Sequence, residues 1–326
     1  MPSHKWPSIT LILNYPCVNS LRLMNSTRLF ITLTLFGLLS IGCTPKKIAS
    51  DLTSQILKGG APSFETEADP EIAETAGIPL IKVIEAFHYD NPHNKTYRIL
   101  LSRAYATYGF AFLEWNMLQY QNVNPELYDK NLRRAKQFYV LGKNHGLEVL
   151  KNKGGFKKAL NKDLVTYKKS LQSFGKSDVP ALFWTAFNWG SLINLSKDSP
   201  AAISELPKVE AIMRRVAELD ENFYYGGPNL FFGVFYGSRP KMFGGDADKS
   251  KMYFEKAMKA FEHKFLLAQV TYAQTYAVQN QDRALFESLL NEVLSIQPDI
   301  MPEQRLGNEI AHKKAKWLLE HAAQFF

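Results

Sequence analysis

The sequence predicts an all-α protein, and three observations support this fold class. No long stretch alternates apolar and polar residues as a half-buried strand does. Residues that start helices recur along the chain, beginning with Asp69-Pro70, where an N-cap is followed by proline at the first helical position. Residues 104–113, 179–195 and 222–238 carry no charge, which is typical of helices buried among other helices.

Residues 1–42 are predicted to be a signal peptide. Residues 29–41 form an uncharged run of thirteen residues, which is too short to cross a bilayer as a helix and suits the apolar region of a secretory signal. If translation starts at Met24, the apolar run is preceded by a short basic region, residues 24–28, which is ordinary for a signal peptide. The pattern therefore favours a start at Met24. A plain transmembrane anchor is the alternative.

Cys43 follows the apolar run in a context that resembles a bacterial lipobox, although Ser40 stands where leucine is usual. After cleavage before Cys43, Cys17 is lost and no internal disulfide can form. We therefore predict that Cys43 is lipidated and that its acyl chains hold the protein to a membrane. Residues 43–65 are predicted to be a tether. The protein is expected on the periplasmic face of the cell envelope, and Thr44 favours the outer membrane.

Residues 66–326 are predicted to form a single helical domain. Proline at first helical positions and Asp or Asn before them mark the helix starts. The first helices expected are, in order, residues 70–90 with a restart at Pro79, 94–121, 125–150 and 156–174.

Small residues flanked by aromatic residues indicate a repeat of paired helices. The motif F-G-x-x-Y at residues 232–236 matches the first helix of a tetratricopeptide repeat, and F-x-x-A at residues 254–257 suits the second helix. The small residues fall at Gly109, Gly190, Gly233 and Ala273, and the last three are 43 and 40 residues apart. This period predicts tetratricopeptide-like helical repeats in an α-solenoid or superhelical bundle. Coincidence is the alternative, since glycine beside aromatics is common in packed helices.

The loop between these two motifs is predicted to be a structural turn. Pro240 ends the first helix, and Gly244 and Gly245 permit positive φ. Asp246 is placed to cap the next helix. These four residues are therefore assigned to the fold rather than to a ligand.

Two of the uncharged helices carry more aromatic side chains than a thin layer of paired helices needs for its core. The surplus can line a cavity for an apolar or amphipathic ligand, or it can be buried by self-association. Ordinary core packing is the alternative. The candidates for a ligand site, pore or interface are Trp184, Phe187, Asn188, Trp189, Tyr224, Tyr225, Phe231, Tyr236 and Arg239.

The sequence carries no recognisable catalytic constellation. His88 and His93 lie on either side of Asp90 without the spacing of a metal-binding helix, and neither a nucleophile elbow nor a phosphate-binding loop occurs. We predict no enzyme activity, no metal and no cofactor. The net charge of +8 falls to +5 when residues 1–42 are removed, and the basic residues are dispersed. No nucleic-acid partner is therefore expected.

Several short segments together resemble one family of transporter components. They are A-L-F-W at 181–184, L-P-K-V-E-A at 206–211, Gly226-Gly227, the turn at 239–246, R-L-G-N-E-I-A at 305–311 and A-K-W-L-L at 315–319. In this order the chain resembles the T-component (TatT) family of tripartite ATP-independent periplasmic (TRAP) transporters. Gly307 departs from the alanine frequent in the family, and Phe183 from tyrosine.

The resemblance implies an α-helical lipoprotein of tetratricopeptide-like repeats that assembles as a homotrimer with a central pore and lateral openings. It further implies binding to the extracytoplasmic solute-binding P subunit of a TRAP transporter and transfer of a hydrophobic or organic-acid ligand. The alternative is a lipid-anchored scaffold for protein assembly in the cell envelope, with no small-molecule ligand.

Overall fold

Side-chain caps begin several helices in the computed structural model, which describes residues 45–326. The Asp69 carboxylate accepts hydrogen bonds from the backbone at the start of one helix, and Asn94 and Asp246 do the same for two others. Such bonds satisfy backbone donors that a helix leaves free at its first turn. Helices and turns make up all of this described part, with no strand in it, and the all-α prediction is confirmed.

The helices are numbered in chain order. The α-helices are α1 Pro45–Glu65, α2 Pro70–Asp90, α3 Lys95–Tyr108, α4 Glu114–Tyr120, α5 Pro125–Leu150, α6 Phe156–Ala159, α7 Leu164–Leu171, α8 Val179–Asn194, α9 Pro200–Ser204, α10 Leu206–Leu219, α11 Phe223–Gly237, α12 Ala247–Ala260, α13 Leu267–Tyr272, α14 Arg283–Ser295 and α15 Arg305–Glu320. Two π-helical segments, Gly109–Leu113 and Ala273–Ala277, follow α3 and α13 directly.

The N-terminal predictions fall mostly outside the described residues. The signal peptide, the start at Met24 and the lipidated Cys43 all lie there. The segment predicted to be a tether is helical over Pro45–Glu65. From Ser50 onward it belongs to a compact unit that continues to Phe326, and the Tyr97 hydroxyl donates to the Ser50 carbonyl at 2.7 Å. The compact unit therefore begins before residue 66.

Three predicted helices differ in detail from the observed ones. Pro79 does not restart a helix, because α2 continues through it, although proline lacks the N–H that an interior helical residue donates. Residues 156–174 form two helices, the second of which is capped by Asp163. The segment 222–238 contains three left-handed residues near its start.

The small residues of the repeat motif allow helices to approach closely. A Cβ atom on Gly233 of α11 would lie 2.9 Å from the Phe254 ring of α12. Gly190 of α8 is packed in the same way against Phe231 of α11, where a Cβ atom would lie 3.0 Å from the ring. The markers at positions 109 and 273 each begin a π-helical segment. The stacking of these pairs into a solenoid stays a prediction.

Three apolar clusters form the core of the compact unit. One is centred on α8 and α10, one on α12 to α15, and one on α2, α3 and α5. Fully buried rings in them include Phe183, Phe286 and Tyr97. The space between the clusters is only partly filled, and this leaves the cavity described next.

Candidate functional site

An apolar cavity of about 1070 Å³ lies between the three core clusters. Helices α2 and α3 contribute Ile84 and Leu100, α8 contributes Phe187, and α11 and α15 contribute Leu230 and Ile310. Ligand sites in proteins commonly measure about 300 to 1000 Å³ and combine apolar walls with few polar groups. The cavity is therefore large enough for an extended small molecule.

One wall of the cavity is a set of four aromatic rings. The Trp184 ring packs edge-on against Tyr224 with centroids 4.7 Å apart, and against Phe183 at 4.9 Å. Phe187 lies 5.8 Å from Trp184 in the same arrangement. Edge-to-face packing at these distances is favourable beyond the area that the rings bury. The four rings thus form one continuous aromatic surface.

A partly buried ion pair lies beside the aromatic wall. Arg103 of α3 pairs with Glu65 at the end of α1, and its guanidinium lies 5.6 Å from the Tyr224 ring centroid and 5.9 Å from that of Trp184. Burial opposes the charge of Arg103, but attraction to Tyr224 and Glu65 outweighs it and raises the pKa. The Glu65 carboxylate also accepts hydrogen bonds from the Tyr224 hydroxyl at 3.0 Å and from Gln304 Nε2 at 2.8 Å. The charge of Arg103 is thus compensated within the protein.

Tyr224 is held at the cavity by an unusual backbone. Tyr224, Tyr225 and Gly226 have φ of 47°, 58° and 77°, which amounts to almost one turn of left-handed helix. Left-handed residues with a side chain cost about 1 to 2 kcal/mol each. Pro228 follows in the first turn of the right-handed part of α11, where its missing N–H is not needed. Strained residues of this kind cluster at functional sites.

Two further cations line the cavity beyond the C-terminal ends of α8 and α11. Lys197 follows α8, and Arg239 follows α11. The Arg239 guanidinium carbon lies 4.0 Å from the Phe235 ring centroid, and Nη2 donates to the Phe235 carbonyl at 2.5 Å. Its Nε is buried and makes no hydrogen bond. Glu210 also lines the cavity, but its Oε1 accepts two hydrogen bonds from Arg214, at 2.9 and 2.6 Å.

A buried acid and a buried amine lie behind the opposite wall. Glu114 lines the cavity and accepts a hydrogen bond from Tyr139, and burial raises the pKa of its carboxyl. Burial lowers the pKa of Lys314 to about 8, and its Nζ lies 4.5 Å from the Phe110 ring centroid. Glu114, Tyr139 and Lys314 belong to α4, α5 and α15, which meet at this part of the cavity.

The structure brings six of the nine candidate residues together at the cavity. They are Trp184, Phe187, Tyr224, Phe231, Tyr236 and Arg239. The other three lie elsewhere. Asn188 is fully buried and donates to the Ser102 carbonyl at 2.9 Å, Trp189 Nε1 donates to Glu205 at 2.8 Å, and Tyr225 stacks on Phe265.

The turn residues have the structural surroundings expected of them, with one correction. The Asp246 carboxylate accepts from Lys249 N at 3.0 Å, and Gly244 has φ of 83°. Gly245 does not have positive φ. It is needed because a Cβ atom there would lie 1.8 Å from the Arg239 carbonyl oxygen. The turn thus fixes the backbone of Arg239 beside the cavity.

Sequence reasoning missed five charged residues of the cavity, namely Glu65, Arg103, Glu114, Lys197 and Glu210. Glu65 fell in the predicted tether, Arg103 marked the edge of an uncharged run, and Lys197 fell in a loop. Each is remote in sequence from its neighbours at the cavity. One signal was available in the sequence. Arg103 directly precedes one long uncharged segment and Lys197 comes after another, and such positions are where a helix enters or leaves the core.

Two negative findings apply to the described part of the chain. No three side chains of His, Cys, Asp and Glu between residues 45 and 326 are grouped so as to hold a metal ion. None of the helices in that range combines the length and the apolar character needed to cross a bilayer.

The fold and the cavity define a helical protein with a large, mostly apolar cavity among its helices. Residues 66–326 match the family model described as TRAP transporter T-component. The chain belongs to this family, and the resemblance seen in the sequence is confirmed. A further relative is an uncharacterized protein of Treponema pallidum (strain Nichols), 24% identical over 308 residues, which cover 89% of this chain and 94% of that protein. The family is a component of transporters rather than a family of enzymes.

Proposed function

We propose that this protein is a non-enzymatic accessory component of a TRAP transporter. It binds the extracytoplasmic solute-binding subunit and passes on a hydrophobic or organic-acid ligand that its cavity holds. Cys43 anchors it by acyl chains to the periplasmic face of the envelope, at the outer membrane, and the functional assembly is a homotrimer. Membership of the T-component family supports the association with a TRAP system.

The cavity is the observation that supports ligand handling. A scaffold for protein assembly needs an outer surface for its clients, and an internal chamber of about 1070 Å³ would only subtract from its core. Here the chamber has an aromatic wall, a compensated ion pair and two further cations, which is the mixture of apolar and few polar groups that binds small molecules. The cavity thus favours a carrier over the scaffold alternative.

The proposed function is tested by mixing the purified mature protein with the solute-binding protein of the same TRAP system. Calorimetry should show a complex with a Kd in the micromolar range, and native mass spectrometry should show three copies of this chain. A solute-binding protein from an unrelated uptake system is the matched control. A folded protein that binds neither partner, or both equally, contradicts the proposal.

A further inference from the structure

Helices α8 and α11 run side by side in the same direction along the cavity. Phe183 lies beside Gly227, where a Cβ atom would come within 2.6 Å of the ring, and Gly190 lies beside Phe231 at 3.0 Å. From the first contact to the second, the position moves towards the C-terminus in both helices, so the helices are parallel. The C-terminal ends of α8 and α11 therefore lie at the same end of the cavity, which places Lys197 and Arg239 together there.

Lys197 and Arg239 differ from the other charged residues of the cavity wall. Arg103 has Glu65 as its partner, and Glu210 is bonded to Arg214. Within residues 45–326, neither Lys197 nor Arg239 makes an ion pair with a carboxylate. Burial and the positive charge of Arg239 both lower the pKa of Lys197, which agrees with two cations that lie near each other.

Helix ends explain only part of this arrangement. The partial negative charge at the C-terminus of a helix favours a cation nearby, and Arg239 does donate to the Phe235 carbonyl. The same attraction does not explain why its Nε is buried without an acceptor. That Nε is closed to solvent and therefore also to a ligand. Within residues 45–326, however, neither Arg239 Nη1 nor Lys197 Nζ has a hydrogen-bond partner, which leaves both for an acceptor in the cavity.

The chemistry of that acceptor follows from the two cations and the walls. An arginine side chain presents several N–H donors in a planar fork that matches a carboxylate, and a lysine adds a point charge. The rest of the cavity wall is mostly apolar, and its remaining charged groups have partners within the protein, so the molecule that carries the carboxylate must itself be largely apolar. From Phe187 to Asn194, the last residue of α8, the helix advances seven residues, or about 10 Å.

We infer that Lys197 and Arg239 bind the carboxylate of an amphipathic organic acid whose apolar chain lies in the cavity along α8 and α11. This inference rests on the proposed function, of which it names the ligand class and orientation. The turn at residues 240–246 positions Arg239, because Gly245 lies against its carbonyl oxygen. The Arg103 end of the cavity receives the apolar end of the ligand.

The test uses two probes of equal chain length, dodecanoate and dodecan-1-ol, with the purified mature protein. Wild type should bind dodecanoate at least about tenfold more tightly than the alcohol. Lys197→Met and Arg239→Met should each weaken dodecanoate binding by about tenfold and change alcohol binding by less than about threefold. Lys241→Met is the matched control, since Lys241 is in the same turn but does not line the cavity. It should bind both probes as wild type does.

Melting temperatures of all variants establish that they are folded, and Arg239→Lys should retain more dodecanoate affinity than Arg239→Met. Equal binding of the two probes by wild type, binding of neither, or equal loss of both probes in the variants would overturn the inference. The complex with the solute-binding subunit is measured in parallel. A complex without carboxylate preference overturns only the inference, whereas carboxylate preference without a complex overturns the proposed function.

Discussion

The Glu65 carboxylate accepts a hydrogen bond from the Tyr224 hydroxyl at 3.0 Å and joins two residues that are 159 positions apart. The same carboxylate pairs with Arg103 and accepts a bond from Gln304. One side chain at the end of α1 thus holds α3, α11 and the start of α15 around the cavity. The first helix is part of the structure that closes this chamber.

Glu65→Gln should lower the free energy of unfolding by about 1 to 3 kcal/mol, because it leaves the charge of Arg103 buried without a counterion. Urea unfolding followed by circular dichroism measures this loss. Glu287→Gln is the control, since its pair with Arg283 is exposed and should contribute less than about 0.5 kcal/mol. Equal effects of the two variants would show that the Glu65 pair contributes no more than a surface pair.

Gly245→Ala should destabilise the protein by about 2 to 3 kcal/mol, because the new Cβ atom overlaps the Arg239 carbonyl oxygen. Gly244→Ala should cost about 1 to 2 kcal/mol, since only its positive φ opposes a side chain. Gly60→Ala is the control, because Gly60 lies within α1 with open space around it, and this variant should be neutral or slightly stabilising. Chemical denaturation ranks the three, and a larger loss for Gly244→Ala would contradict the steric argument.

Trp189→Ala and Tyr236→Ala should distinguish a residue of the core from a residue that lines the cavity. Trp189 is 3% exposed and does not line the cavity, so its truncation should cost about 3 to 5 kcal/mol. Tyr236 faces the cavity and should cost less, about 1 to 2 kcal/mol, while dodecanoate binding weakens. Thermal melting and probe binding are measured on both. If dodecanoate binding falls in both variants only as far as their stability falls, Tyr236 is a core residue and not a ligand contact.

Acidification from pH 6.5 to 4 should destabilise the protein through His145. Burial, and then the charges of His88 and Arg98, lower the pKa of His145 to about 4, although Glu85 opposes the shift. The unfolded chain therefore takes up a proton below about 6.5 that the folded chain does not accept, and stability falls as the pH falls. Partial exposure of the ring limits the loss to about 1 to 2 kcal/mol.

His145→Phe is the matched variant, because it keeps a ring against Tyr105 and cannot titrate. Its free energy of unfolding should depend less on pH between 4 and 6.5 than that of wild type. Identical slopes would assign the pH dependence to other groups.

Cys43→Ala should abolish incorporation of a palmitate analogue in cells, because the thiol that we propose as the acylation site is gone. The variant should appear as a soluble or uncleaved protein, since several acyl chains are needed for stable anchoring. Cys17→Ala should leave labelling unchanged. Label retained on Cys43→Ala would refute the lipoprotein assignment.

The start of a helix could be predicted from the sequence where a neighbouring side chain caps it. Asp69, Asn94 and Asp246 each cap a helix by bonds to the next few residues, and such bonds are visible in the order of residues. The close approach at Gly233 was predictable for the same reason, since a small residue between aromatics marks a contact between helices. Six of the nine residues chosen for aromatic surplus reach the cavity.

What depends on tertiary packing could not be predicted. Left-handed φ at two successive tyrosines runs against their own preference, and only their ring contacts and the Glu65 bond explain it. The sequence suggests that Gly245 is needed for a positive φ. In the structure, glycine is needed there because the Arg239 carbonyl oxygen leaves no room for a Cβ atom. Asn188 and Trp189 carried the same signal as Trp184, but they are bonded to Ser102 and Glu205 and do not line the cavity. A fully apolar helix has no polar face to show which side meets a cavity.

The left-handed turn in α11 has a mechanical consequence. It sends the side chains of two adjacent residues into different clusters, with Tyr224 against Trp184 and Tyr225 against Phe261 and Phe265. Tyr224 lines the cavity, whereas Tyr225 belongs to the contacts of the C-terminal cluster. Two consecutive residues thus form a direct covalent link between the aromatic wall and the packing of the C-terminal helices.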